Sequence, residues 1–409
     1  AHLVEDQAAR RVGRIGGDLE AAVHGAGVAD DRLGVGRRQR GEAVADVPQR
    51  ALLPGEQLFG LGEQFEEGFN AMGPLALAMV GVMSLSPVLA KLLNPIIGPI
   101  YSLLGADPAM FAGTLLACDM GGWPLAEKMT DNLQAAQLSG LVLGSMMGAT
   151  VVFTIPVALG IIRKEDRGYL AKGVLAGICT IPVGVLASGL VAGFPILMVL
   201  VNLIPIVLAA VLIAIGLWLF PNAMTTGFEW FGKFLVVLIT LGLMIGVFEE
   251  LTKVKIMPEG WELTPVSEGI GTVGMIAMML LGAFPAVHLI IKFASKPLSA
   301  LGKLMGVNDS AAGGLIATLA NNIPMFQIMK DMDNRGKVLN AAFAVGAAFA
   351  FGDHLGFVAG ISREMIAPVI VGKLLAGVTA VALALLLFRK SLPKAEDAPV
   401  EAEAAAEEA

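Results

Sequence analysis

Ten apolar runs fill the chain between residues 71 and 388, and they decide what it can fold into. They cover roughly 71–93, 108–129, 135–162, 168–193, 195–220, 228–250, 270–294, 309–330, 337–361 and 366–388. Runs of this length cross a hydrocarbon core, where the backbone must satisfy its own hydrogen bonds, so helices are the available element. With 56% hydrophobic and 15% charged residues and a mean hydropathy of +0.75, the composition excludes a soluble globular domain. The expected fold is an all-α polytopic membrane protein. Fifty glycines agree with it, because small residues let membrane helices approach closely. Cys118 and Cys179 both lie inside apolar runs, which points to neither disulfide nor zinc chemistry. The net charge of −7 identifies no partner, nucleic acid included, since six acids fall in the last fourteen residues; the tail 391–409 is expected to be a solvated, disordered end.

Two of the runs are interrupted. In FAGTLLACDMGGWP (111–124), Asp119 sits mid-run, and Gly121, Gly122 and Pro124 weaken the helix just after it. About 200 residues later GLIATLANNIP (314–324) places Asn321 and Asn322 where the first run has Cys118 and Asp119. Two broken segments at matching places in two halves are the sequence mark of a transporter's substrate site. The alternative is a pair of Gly/Pro-kinked helices packed on their neighbours.

The halves repeat. A shift of 201 pairs Glu67 with Glu268, Gly81 with Gly282, Lys91 with Lys292 and Gly105 with Gly306. A shift of 203 sets Asp119 opposite Asn322, and one of 200 matches Gly160, Ile161 and Arg163 to Gly360, Ile361 and Arg363. A nearly constant offset over successive segments reads as an internal duplication. It gives a first repeat at 64–193, linking helices at 194–256 and a second repeat at 257–390. If 108–129 re-enters without crossing, the halves are inverted; if it crosses, they are parallel. Counting Lys and Arg beyond residue 63 with RKEDR (163–167) inside, the re-entrant arrangement puts fourteen inside and six outside, the other eleven and nine. Inverted repeats with interrupted, re-entrant segments are therefore expected, with 163–167, 330–337 and the acidic tail in the cytoplasm.

Residues 1–63 stand apart, with eight arginines, no lysine and no periodicity. The second half is preceded by an apolar helix at 228–250, whereas the corresponding 28–50 cannot span anything. These residues are expected to be a disordered or non-native arm that forms no packed unit with the membrane body.

The candidate site residues are Asp119, Trp123, Asn321, Asn322, Asp353 and His354. A carboxylate at membrane depth is costly unless paired or hydrated, so Asp119 marks a substrate path or a structural pair. Trp123 offers a ring face to a cation, or an interfacial anchor. Asn321 and Asn322 offer amide groups to a hydroxyl or an ammonium, or bond helices together. Asp353 and His354, between Gly352 and Gly356, suit a charge site or a proton relay. Asn202 reads as structural, His288 as a lone helix-face histidine, and Glu67 as an acid at a helix start facing the dipole or, alternatively, part of a cation-attracting vestibule. No His or Glu cluster suggests a metal, no cofactor is implied, and neither a Walker A sequence nor GxSxG is present, so ATP-driven and hydrolase chemistry are not expected.

QFEEGFNAMGPLALAMVG (64–81), MFAGTLLACDMGGWPLA (110–126), GSMMGATVVFTIPVALGI (144–161), ATLANNIPMF (317–326), DNRGKVLNAAFAV (333–345) and FGDHLGF (351–357) together resemble the ethanolamine permease family of bacterial ethanolamine-utilization operons. The resemblance runs from residue 64 to about 390. Members begin with an apolar helix and a basic loop before QFEEGF, and this sequence departs there. The resemblance implies uptake of ethanolamine across the bacterial inner membrane, with no enzyme activity. A primary ammonium wants a carboxylate or an aromatic face and a hydroxyl wants an amide or imidazole, which the candidate residues supply. A channel-like facilitator for a small amine or ammonium, and a non-transporting membrane scaffold, remain the alternatives; a homo-oligomer is left open.

Overall fold

The structure is a computed structural model that describes residues 61–388, and among these every regular element is helical. The expectations for most of the amino-terminal arm and for the acidic tail lie outside the described residues. The chain begins with α1 (Gly62–Asn70) and α2 (Met72–Leu103), which run on almost without a break. Pro87, Pro95 and Pro99 lie inside α2, which nonetheless carries on ten residues past the apolar run that announced it. A proline in a membrane helix is tolerated because neighbouring groups re-satisfy the freed backbone.

The first interrupted run forms α3 (Met110–Leu115), an extended break at Leu116 and Ala117, a wide turn at Cys118–Gly122, and α4 (Trp123–Met129). The break thus has Asp119 inside it: Leu116 and Ala117 are extended just before, and Met120 and Gly121 leave helical geometry just after, where the sequence placed the weakening. Pro124 stands in the first turn of α4, where its missing N–H has no partner to lose, so it starts a helix here and does not end one. Gly121 supplies the left-handed turn between them at φ 102°, and a side chain there would run into Val82.

Next come α5 (Leu133–Ile161), wound in wide π-type turns over Gln137–Gly148 and Thr150–Thr154, then α6 (Arg167–Val191), α7 (Ile196–Leu219), α8 (Pro221–Thr252) and α9 (Val266–Met305). The second interrupted run gives α10 (Asp309–Ala320), an extended Asn321 and α11 (Asn322–Gln327). The run 337–361 is not one segment. It forms α12 (Asn334–Ala347) and α13 (Asp353–Ile361), parted by an irregular strap at 348–352, before α14 (Ile366–Phe388) closes the fold. Within the described residues seven helical stretches are long and apolar enough to cross a membrane, and neither interrupted run is among them.

The centre of the bundle is α6, α12 and α14, joined through small residues. Gly173 faces Ala341 and Ala342, Gly177 faces Val345, and Gly372 approaches the backbone of Gly184. Such contacts let helix backbones meet where lipid removes the hydrophobic drive for association. In contrast α7 and α8 expose Leu197, Leu212, Trp218, Trp230 and Phe234, an apolar face suited to lipid. One polar tie joins two connections: Lys337 donates to Asp166 at 2.7 Å, with both side chains largely buried.

Several local devices recur at a nearly constant spacing. Gly105 and Gly306 both take a left-handed φ, 69° and 68°. Asn132 caps the start of α5 and Asp333 the start of α12. Asp107 accepts from the Thr130 hydroxyl, and Asn308 donates to the Asp331 carbonyl. A Cβ on Gly148 would strike the Leu116 carbonyl, and one on Gly352 the Ala320 carbonyl.

Candidate functional site

The three breaks meet around one cavity of about 690 Å³, lined by Asp119 and Ala117 from the first, Ala320 and Asn321 from the second, and Phe349, Phe351, Gly352, Asp353 and His354 from the third. Further walls come from Glu67, Asn70 and Leu75 on α1 and α2, Ala149 and Phe153 on α5, and Phe284 and His288 on α9. Its size falls in the range typical of small-molecule sites, and its lining is mostly apolar with a few polar groups.

The strap is held by α10. Phe349 and Phe351 donate their N–H groups to the carbonyls of Thr318 and Leu319, at 3.1 and 2.8 Å. These are carbonyls that the end of α10 would otherwise leave without partners. Phe349 takes φ 61°, uncommon for a residue with a side chain. Its ring meets Phe153 edge-on at 5.5 Å and leans on the His354 imidazole at 4.8 Å. The strain of one backbone position therefore places an aromatic wall beside the ionisable groups.

Asp119 and His354 face each other, with Nε2 to Oδ1 at 3.8 Å. Asp353 opens α13, reaches the cavity, and has neither hydrogen-bond nor ion-pair partner among the described residues. Asn321 caps α11 by accepting from Ile323 N–H at 2.9 Å, and it too lines the cavity.

Two candidates lie elsewhere. Trp123 is 8% exposed and packs against Gly140 of α5, because the Gly121 turn carries it away from the cavity. Asn322 is fully buried, and its Nδ2 donates to the Thr154 hydroxyl at 3.0 Å, tying α11 to α5. That is the helix-bonding role. Asn202 is likewise structural, accepting from Asp107 N–H at 2.7 Å. Glu67 lies in the second turn of α1, not at its start, and faces the cavity, as does His288.

Sequence reasoning passed over Lys373. It is 1% exposed on α14, donates to the Ser145 carbonyl, and stands 3.3 Å from His354 Nδ1. Its signal was present, a lone charge inside the run 366–388. The phenyl rings of Phe153, Phe284, Phe349 and Phe351 carried no signal, since phenylalanine in an apolar run is ordinary.

The fold also assembles a cluster the sequence did not suggest: ligand atoms of Cys118, Asp119 and His354 lie within 4.8 Å of one another. A metal-bound histidine normally donates its second ring nitrogen to a carboxylate or carbonyl. Here that nitrogen meets the Lys373 amine instead, so the donor set suits a charge network better than a metal ion.

Over residues 53–387 the sequence matches the family model described as Ethanolamine utilisation protein, EutH. The chain belongs to this family. Among EutH relatives, a protein of Listeria monocytogenes named "Probable ethanolamine permease EutH" is 57% identical over 336 residues, covering 82% of this chain and 89% of the relative. One of the same name from Salmonella typhimurium is 52% identical over 381 residues, covering 86% and 91%. A Bacillus subtilis relative, "Uncharacterized protein YxeR", is 52% identical over 327 residues, covering 80% and 87%. No solved structure matches.

Proposed function

We propose that the chain is a secondary transporter, not an enzyme, that takes up ethanolamine across the bacterial inner membrane. The observation that carries this reading is the cavity at the junction of three helix breaks, where carboxylates and phenyl rings face one small space within a membrane bundle. Its chemistry matches a protonated amino alcohol. Asp353 and Asp119 supply negative charge, the Phe349 ring offers a π-face to the ammonium, and the Asn321 amide suits the hydroxyl. The EutH relatives named as ethanolamine permeases support the same substrate. In proteoliposomes, unlabelled ethanolamine inside should accelerate entry of labelled ethanolamine from outside. Flux without such counterflow would mean a pore, and no flux at all a scaffold.

The transport geometry we infer is a pair of inverted repeats whose interrupted segments re-enter the membrane. Support comes from the devices recurring near a 201-residue spacing: the left-handed Gly105 and Gly306, and the Asn132 and Asp333 caps. The Asp166–Lys337 bridge adds to it, because it ties the 163–167 connection to the 330–337 connection at one end of the bundle. The two connections and the acidic tail then belong to the cytoplasm. Single cysteines placed in 163–167 and 330–337 should react with an impermeant maleimide only after the cells are opened. Reaction of 330–337 in intact cells would restore parallel halves.

A further inference from the structure

Lys373 is a buried, strongly charged group beside the cavity that the transport reading leaves without a task. It is 1% exposed, inside a helix of a membrane bundle. A buried ammonium is costly unless paired and hydrogen-bonded. Yet no carboxylate lies within ion-pairing distance of it among the described residues. Its contacts are the Ser145 carbonyl and His354 Nδ1 at 3.3 Å. On the far side of the same imidazole, Nε2 lies 3.8 Å from Asp119 Oδ1. The three groups form a row: ammonium, imidazole, carboxylate.

Among the described residues the neighbouring elements bring no other counter-charge to Lys373. From the first break the ionisable side chains acting on it are Cys118 and Asp119, and from α13 it is His354. On α6, Lys172 lies over the Tyr169 and Phe388 rings, and on α12, Lys337 is committed to Asp166. The acid that compensates Lys373 is therefore Asp119. An ammonium has only donors, so the ring nitrogen facing it accepts, and the imidazole proton falls on Nε2, turned to Asp119.

We propose that Lys373 is a tethered counter-cation: it neutralises Asp119 across the His354 ring and fixes that ring's tautomer, which leaves Asp353 to match the charge of the substrate. Lys373 is thus a positioning residue, acting on the cavity through His354. The assignment of Asp353 rests on the transport reading, whereas the Lys373–Asp119 pairing does not. A site built this way holds its own cation at the deep carboxylate and needs no inorganic ion there. It also presents one unmatched acid at depth to a monocation.

The test is a set of purified variants, Lys373→Met, Asp119→Asn, the two together, and Lys373→Met with Asp353→Asn, read by thermal melting in detergent and by ethanolamine binding. Each of the first two single changes leaves a buried charge unpaired and should lower Tm by roughly 10 °C. The Lys373→Met/Asp119→Asn protein should recover most of that loss, and the pairing with Asp353→Asn should recover none. Ethanolamine binding in the recovered protein should exceed that of Asp119→Asn alone by at least ten-fold. If Lys373→Met yields no folded protein, the readout is the monodisperse yield of the double variant. Additive losses, rescue by Asp353→Asn, or a double variant that stays unfolded would each overturn the pairing. Coupled melting in a protein whose parent binds no ethanolamine would instead refute the transport reading and leave the pairing standing.

Discussion

Asp353→Asn should abolish high-affinity ethanolamine uptake while leaving a folded, inserted protein. The side chain opens α13 and makes no hydrogen bond or ion pair within the described residues, so an amide of the same shape removes little that holds the fold together. What it removes is charge on the wall of a largely apolar cavity. Taking away one partner of a desolvated ion pair costs roughly 3–5 kcal/mol, which lowers affinity by two orders of magnitude or more. The loss should fall on affinity for the ammonium and spare Tm, the opposite of the pattern for Asp119→Asn, where a lysine is left stranded. Equilibrium binding of labelled ethanolamine to the purified variant, beside its melting curve, separates the two. An Asp353→Asn protein that binds ethanolamine as tightly as the parent would take this carboxylate out of the site.

The polar part of the cavity was legible in the sequence for a simple reason. In an apolar run an acid, an amide or an imidazole is expensive, so Asp119, Asn321, Asp353 and His354 stood out, and the fold brings all four to one space. Trp123 and Asn322 were grouped with them by adjacency, yet neighbours in a chain need not share a face. Asn321 is extended at the break while Asn322 begins α11, and the change of backbone sends one side chain to the cavity and the other to Thr154. Lys373 escaped notice because a lysine in a membrane run is usually read as one that reaches for the interface. Its partners are a carbonyl on α5, 228 residues away, and an imidazole on α13, and only the fold turns both toward it. The strap at 348–352 was hidden for the same cause. Its residues are apolar, and what stabilises the break is a pair of carbonyls on α10, which only the fold supplies.

The helix bundle itself was readable from run length and hydropathy, but the close approaches that shape the cavity rest on particular glycines, and these give the second large effect. Gly148→Val and Gly352→Val should each destabilise the protein and stop uptake. At Gly148 the α5 backbone lies against the Leu116 carbonyl in the first break; at Gly352 the strap lies against the Ala320 carbonyl at the end of α10. In both places the obstacle to a side chain is backbone, which cannot swing aside as a flexible side chain does. Overpacking a core typically costs about 1–3 kcal/mol, and a backbone obstacle places these two changes at or above the top of that range. At roughly 2–4 °C per kcal/mol, Tm should fall by about 6–12 °C. The breaks also aim Asp119 on one side and Asp353 with His354 on the other, so a shift of either should reduce uptake beyond what lost stability explains. Gly160 is the control, since a methyl group there meets nothing within 4 Å. Replacing this helical glycine by alanine should be neutral or stabilise by roughly 0.5–1 kcal/mol. Melting curves and initial uptake rates normalised to inserted protein test all three. Parent-like uptake by Gly148→Val and Gly352→Val would show that the breaks need not meet this closely for the site to work.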